Sequence, residues 1–158
     1  MKNFCKLFLL IFLCGCPKPE NNWNNIIPNK DNIDIKKETT PNDHNSKLLK
    51  LHNYQRELKG RTGFSLDVDL IMYAQKHAEW MAKKNNLKHS DIGVLMGKWH
   101  AAGENIAWGQ EDEEEVTKGW MNSSGHRANI LNRNFSKVGF GVAPAKDGSL
   151  YWCTVFAD

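Results

Sequence analysis

Residues 46–158 predict an α+β domain in which helices pack against a small antiparallel sheet. Three features point to it. Apolar residues recur at helical spacing in the first half, the period switches to two after residue 137, and a turn signal precedes a closing aromatic, β-branched run.

Leu48, Leu51, Gln55 and Leu58 mark one face of a first helix, with Ser46 as its N-cap and Gly60 as its stop. A second helix is capped by Ser65, places Asp67 and Asp69 at the positive end of its dipole, and repeats Leu70, Ala74, His77, Ala78 and Met81 along one face. Its signals stop near Asn85-Asn86. A third helix starts at Asp112-Glu113-Glu114-Glu115, read as a solvated first turn that favours the dipole, and turns Val116 and Trp120 inward. Ser123 or Ser124 caps a short fourth helix holding Ile130 and Leu131. Val138, Phe140 and Val142 alternate with Lys137, Gly139 and Gly141, Lys146-Asp147-Gly148-Ser149 turns the chain, and residues 150–156 return as a second strand. Asn105-Ile106-Ala107-Trp108 supplies a third strand.

The N-terminus follows different rules. Lys2 and Lys6 flank the start of an apolar run at residues 7–13 that is too short for a bilayer, since a spanning helix needs about 20 apolar residues. A basic start, a short apolar stretch and small residues are the features of an export signal. The stretch closes on Leu13-Cys14-Gly15-Cys16, which resembles the bacterial lipobox, so residues 1–15 read as a lipoprotein signal peptide and Cys16 as the lipidated new N-terminus. The alternative is an ordinary secretory signal with incidental cysteines. Residues 16–45 then read as the lipidated cysteine and a tether, rich in Asn and Lys, with Pro17, Pro19, Pro28 and Pro41 and no sustained apolar period. Roughly 30 such residues hold a domain about 30 Å from its anchor.

Of the four cysteines, Cys5, Cys14 and Cys16 fall in the leader and only Cys153 in the body, so the domain has no internal disulfide to rely on. Cys153 reads as a buried small hydrophobe. The net charge of +3 is not gathered into a stripe, which argues against nucleic acid as a partner. Residues 46–158 suit one ordinary domain with one core, expected to act as a monomer.

Five motifs occur in order: His52-Asn53-Tyr54-Gln55-Arg56, Leu87-Lys88-His89-Ser90, Gly103-Glu104-Asn105-Ile106-Ala107-Trp108-Gly109, residues 120–131 from Trp120 through Ser123-Ser124-Gly125-His126-Arg127, and Gly139-Phe140-Gly141-Val142. Together they resemble the signatures of the CAP superfamily, also known as the SCP domain (cysteine-rich secretory, antigen 5 and pathogenesis-related 1 proteins), in its bacterial branch. The resemblance implies a three-layer α-β-α sandwich around a small antiparallel sheet for residues 46–158. It also implies a cleft lined by two histidines and two acids that in several members binds a divalent metal. Carried over, these positions are His89, Glu104 and His126, with Ser123 standing where the second acid is expected.

Two histidines with one carboxylate could hold zinc through His89 and His126, leaving a position for water. Equally, the histidines could pair with Glu104 and pin loops across the sheet. Among the other histidines, His77 reads as a core residue, His100 as a solvated loop residue and His44 as part of the tether, while Arg56 is expected to tie the first helix to a loop. The 93–102 loop exposes Leu95, Met96 and Trp99 unless it folds down as a lid.

No strained Gly-x-Ser-x-Gly elbow is present, and Ser123 and Ser124 are first of all caps, so no catalytic residue is assigned. The expectation is an exported protein, lipid-anchored at Cys16 to the cell membrane or outer membrane. Its domain binds a small lipid such as a sterol, or a host protein, and the alternative is a weak divalent-metal-dependent hydrolase at the cleft.

Overall fold

The structure, a computed structural model, describes residues 41–158. The export signal, Cys16 and most of the expected tether lie outside the described residues. Four helices and four strands follow in the order α1 (Pro41–Glu57), β1 (Ser65–Leu66), α2 (Val68–Lys84), β2 (Ala102–Trp108), α3 (Glu113–Asn122), α4 (Ser124–Ile130), β3 (Lys137–Pro144) and β4 (Leu150–Ala157). A 3-10 segment, Ile92–Gly97, lies between α2 and β2. The sheet order is β1-β3-β4-β2, antiparallel except where the two-residue β1 joins β3 in parallel.

The three layers follow from period-two alternation on strands covered on both faces. Val138, Phe140, Trp152 and Phe156 face one way and pack with Leu48 of α1, Val116 and Trp120 of α3 and Ile130 of α4. Cys153, Val155, Tyr151 and Ile106 face the other way, against Leu70, Ala74, Ala78 and Met81 of α2. On β3 the second face carries Gly139 and Gly141. A Cβ added there would lie 2.1 Å from the carbonyl carbon of Leu70 and 2.4 Å from that of Ala74. These glycines let the α2 backbone rest directly on the strand.

Several expectations shift. The first helix begins at Pro41, not at Ser46, so His44 and Asn45 belong to α1 and not to a tether. Asn45 is buried, and its side-chain oxygen accepts from the Phe140 N–H at 3.4 Å. Leu58 falls beyond the helix and is exposed, while Gly60 stops the helix with φ +59°. The second helix is capped by Asp67, whose carboxylate accepts from the N–H groups of Asp69 and Leu70. Ser65 instead pairs in β1, too short a strand to leave a periodic signal. In the acidic turn Asp112 is the N-cap, but Glu113 is buried and lies 2.5 Å from His44 Nδ1, so that turn is not simply solvated. Burial works to raise the Glu113 carboxyl, and the hydrogen bond from His44, aided by the charge of Lys47, holds it below its ordinary value.

Both sheet edges are closed by side chains. Along β3, beyond the reach of β1, the Gln75 amide donates to Val142 O and accepts from Val142 N–H, at 3.0 and 3.1 Å. Along β2, Asn129 donates to Glu104 O at 3.2 Å and Trp120 Nε1 to Ile106 O at 3.3 Å. Each would otherwise be an unpaired edge group open to another chain.

Candidate functional site

The cleft is built around one carboxylate. Strand β2 turns the Glu104 side chain toward the α2 layer, where it is 2 % exposed. Asn85, at φ 48°, ends α2 in the left-handed conformation and reverses the chain, so that residues 87–90 run back beside the helix. His89 Nδ1 then lies 2.7 Å from Glu104 Oε1, the Ser90 N–H donates to the same oxygen at 3.0 Å, and Ser90 Oγ donates to Oε2 at 2.5 Å. Cys153 Sγ approaches Oε2 to 3.7 Å. Tyr73 Oη donates to Asp91 O at 2.9 Å and lies 3.0 Å from Ser90 Oγ, which fixes the segment that delivers the serine.

His77 joins this group. Its Nε2 donates to Lys88 O at 2.8 Å and lies 3.9 Å from Glu104 Oε2. The ring stacks on Trp80, with centroids 5.7 Å apart and planes at 11°. The expectation of an ordinary core histidine is therefore corrected: helical periodicity showed which face His77 is on, but not that residues 88 and 104 come to meet it. Trp80 and Leu87 remain exposed and give this side an apolar rim.

His126 approaches from α4. Asn105 donates to its backbone carbonyl at 3.0 Å, and Asn129 donates to the Asn105 side-chain oxygen at 2.9 Å, so two amides clamp α4 to β2. Burial lowers the His126 imidazole below its usual value, and the nearby His89 lowers it further. Ser123 sits at the junction of α3 and α4 with no side-chain capping bond, and among the described residues no hydrogen bond joins it to His89, Glu104 or His126. Burial pushes the Cys153 thiol well up, and Glu104 adds to the shift, which leaves a buried and unreactive thiol. His100 stays solvated beside Asp158. In the loop, Leu95 and Trp99 pack against the α2 layer while Val94 and Met96 are exposed, so this loop is partly folded down and partly open.

A metal would need free acceptors. Both Glu104 oxygens already receive protein donors, Ser123 brings no carboxylate, and among the described residues no group of three or more His, Cys, Asp and Glu side chains could hold an ion. The side chains left to hold a zinc here are the imidazoles of His89 and His126. His89 turns Nδ1 to Glu104, which leaves Nε2 at the outer end of a side chain 60 % exposed, open to a hydrogen-bonding group of a ligand.

Ser90, Asn105 and Asn129 escaped sequence reasoning as site residues. All three lie inside the quoted motifs, but their partners are visible only in three dimensions.

Comparison with known proteins gives a match to the model of the cysteine-rich secretory protein family over residues 49–156. A Bacillus subtilis (strain 168) protein named YkwD is 37 % identical over 117 residues, covering 68 % of this chain and 45 % of the relative. The human Golgi-associated plant pathogenesis-related protein 1 is 31 % identical over 124 residues, covering 68 % of this chain and 77 % of the relative. The chain spans less than half the length of the two Bacillus subtilis relatives it matches. Among solved structures, an extracellular SCP-domain protein from Bacillus anthracis superposes with TM-score 0.64 at 26 % identity, covering 73 % of this chain and 40 % of that one. An outer surface protein from Borrelia burgdorferi shares the fold with TM-score 0.65 at 18 % identity, covering 72 % and 90 %.

Proposed function

The chain belongs to the cysteine-rich secretory protein family, and from that premise we propose that it is an exported lipoprotein, anchored through Cys16, whose domain binds a small lipid or an extracellular partner without chemistry. The single observation that carries the binding reading is the occupied carboxylate. Glu104 is buried with His89 and Ser90 on its oxygens, so its carboxylate organises the cleft and is already occupied by protein groups. Around it stand the exposed His89 imidazole and an apolar rim at Trp80 and Leu87, a combination that suits a largely apolar ligand with one hydroxyl. Surface placement is supported by the lipobox-like tetrad and by neighbours described as extracellular or outer surface proteins. Among the described residues no helix is long and apolar enough to cross a membrane.

Two experiments test the parts separately. Labelled palmitate fed to the native host should enter the wild-type chain and not Cys16→Ser, which should leave the membrane fraction; equal labelling of both would remove the anchor. Mass spectrometry of molecules co-purified with the chain should find a lipid or peptide lost in His89→Ala, and an unchanged profile would remove the cleft as the binding site. The metal-dependent hydrolase is the rival reading, supported by the Glu104–His89 pairing, which is how a carboxylate orients a metal-ligating histidine. Calorimetric titration with zinc decides it: micromolar binding lost in His89→Ala and His126→Ala would carry the rival, and no heat at millimolar metal would end it.

A further inference from the structure

The loop after α1 and the segment after α4 enclose a cavity of about 440 Å³ lined by three arginines, Arg56, Arg61 and Arg133, together with Gly60, Phe135 and Ser136. Arg56 is 1 % exposed and largely committed to the fold. Its Nε donates to Thr62 O at 2.6 Å, Nη1 to Ile130 O and Asn132 O at 2.8 Å each, and Nη2 to Phe135 O at 3.1 Å. A guanidinium has five N–H donors, so one on Nη2 remains. Among the described residues Arg61 is tied only through Nε, to Leu131 O at 3.3 Å, which leaves its two terminal nitrogens available. Arg133 is exposed.

Among the described residues no carboxylate forms an ion pair with any of the three. The carbonyls that receive Arg56 carry only partial charge, so three full positive charges share a concave wall without a counter-charge. Burial, and after it the charge of Arg61, pushes the Arg56 guanidinium below its ordinary value, as expected of like charges held close. Elsewhere in the domain the ion pairs join acids to Lys or His side chains.

We propose that this cavity binds the phosphate group of a small phosphorylated molecule, received by the terminal N–H groups of Arg61 and Arg133 with the spare Nη2 donor of Arg56 behind them. Guanidinium forks match phosphate oxygens in pairs and stay charged at any physiological pH, so the site needs no proton to be bound first. A phosphate fills only a fraction of the volume. The remainder, beside the Phe135 ring and the Gly60 backbone, has room for a short organic group. This site is independent of the Glu104 cleft; Arg56 makes four bonds to the fold and Arg61 one, to Leu131 O.

The test is titration of the full-length chain with inorganic phosphate, read by calorimetry and by the arginine Nε–H resonances. Arg61→Gln and Arg133→Gln should each weaken binding about tenfold, with the folded circular dichroism spectrum retained, and the double variant should abolish it. Arg61→Lys should restore only part, because a point charge cannot grip two oxygens. Failure to saturate with phosphate, or equal affinity in the glutamine variants, would overturn the proposal. Two further arms separate the sources of the phosphate, both with the Cys16→Ser chain so that no acyl anchor contributes. Tighter binding to phosphatidylcholine vesicles containing phosphatidic acid than to glycerol phosphate assigns a lipid headgroup; the reverse assigns a soluble phosphomonoester.

Discussion

His52 shows how much one buried side chain can set at the residue scale. It is fully buried among Trp120, Phe140 and Phe156, and its Nδ1 donates to Leu48 O at 2.9 Å while Nε2 has no partner among the described residues. Burial lowers its pKa from 6.5 to about 3, with the charge of Arg56 contributing and the Leu48 bond opposing. The unfolded chain therefore binds a proton below pH 6.5 that the folded chain refuses until about pH 3. Stability conferred by the neutral ring is complete above pH 6.5 and is lost as pH falls, at up to about 1.4 kcal/mol per pH unit. Urea unfolding across pH 7 to 4 should show that slope in the wild type, and His52→Gln, which does not titrate, should flatten it. Glu104 gives a second prediction. Glu104→Gln places an amide NH₂ against groups that donate to Glu104, His89 Nδ1 or Ser90 Oγ among them, and should cost about 1–3 kcal/mol by denaturant unfolding. Neither role is written in residue type alone. Sequence could point to His89 and Glu104 as a pair through a family motif, but Ser90, His77 and Cys153 reach the carboxylate only because α2, the 87–90 return and β4 converge on it.

Glycine positions separate cases at the scale of elements that sequence treats alike. Gly139 and Gly141 alternate with apolar residues on β3, and the α2 backbone lies where their Cβ atoms would be. Gly139→Ala must push the helix off the strand and should cost more than about 3 kcal/mol, seen as a collapsed unfolding midpoint or loss of soluble protein. Gly119 is the opposite case. It sits within α3 with nothing within 4 Å of an added Cβ, so Gly119→Ala should stabilise by about 0.5–1 kcal/mol through helix propensity alone. The Gln75 amide belongs here as well. It stands in for a neighbouring strand at Val142, and Gln75→Leu should leave that edge open, with light scattering on heating showing earlier aggregation than in the wild type.

The domain boundary is a matter for the whole molecule. Composition places it near residue 46, because Asn and Pro dominate before that point, yet Asn45 closes the β3 edge and His44 reaches Glu113 across to α3. A chain that starts at residue 46 should therefore melt roughly 5–10 °C below one that starts at residue 41, measured by circular dichroism on both. Arg56 works on the same scale. Its guanidinium gathers four carbonyls from two loops, as the first motif implied when it paired helix with loop.

Period and turn chemistry were enough to predict the α+β class, the hairpin, most of the inward faces of α1 to α3 and the burial of Cys153, because those depend on local spacing and on which side chains leave water. The ordered motifs were enough for the family and the sandwich. Tertiary structure alone decided the position of β1, the start of α1, the burial of Glu113 and the company Glu104 keeps. Each of these depends on a partner far along the chain, and a residue's spacing carries no record of which distant carbonyl, carboxylate or strand edge will be brought within 3 Å of it.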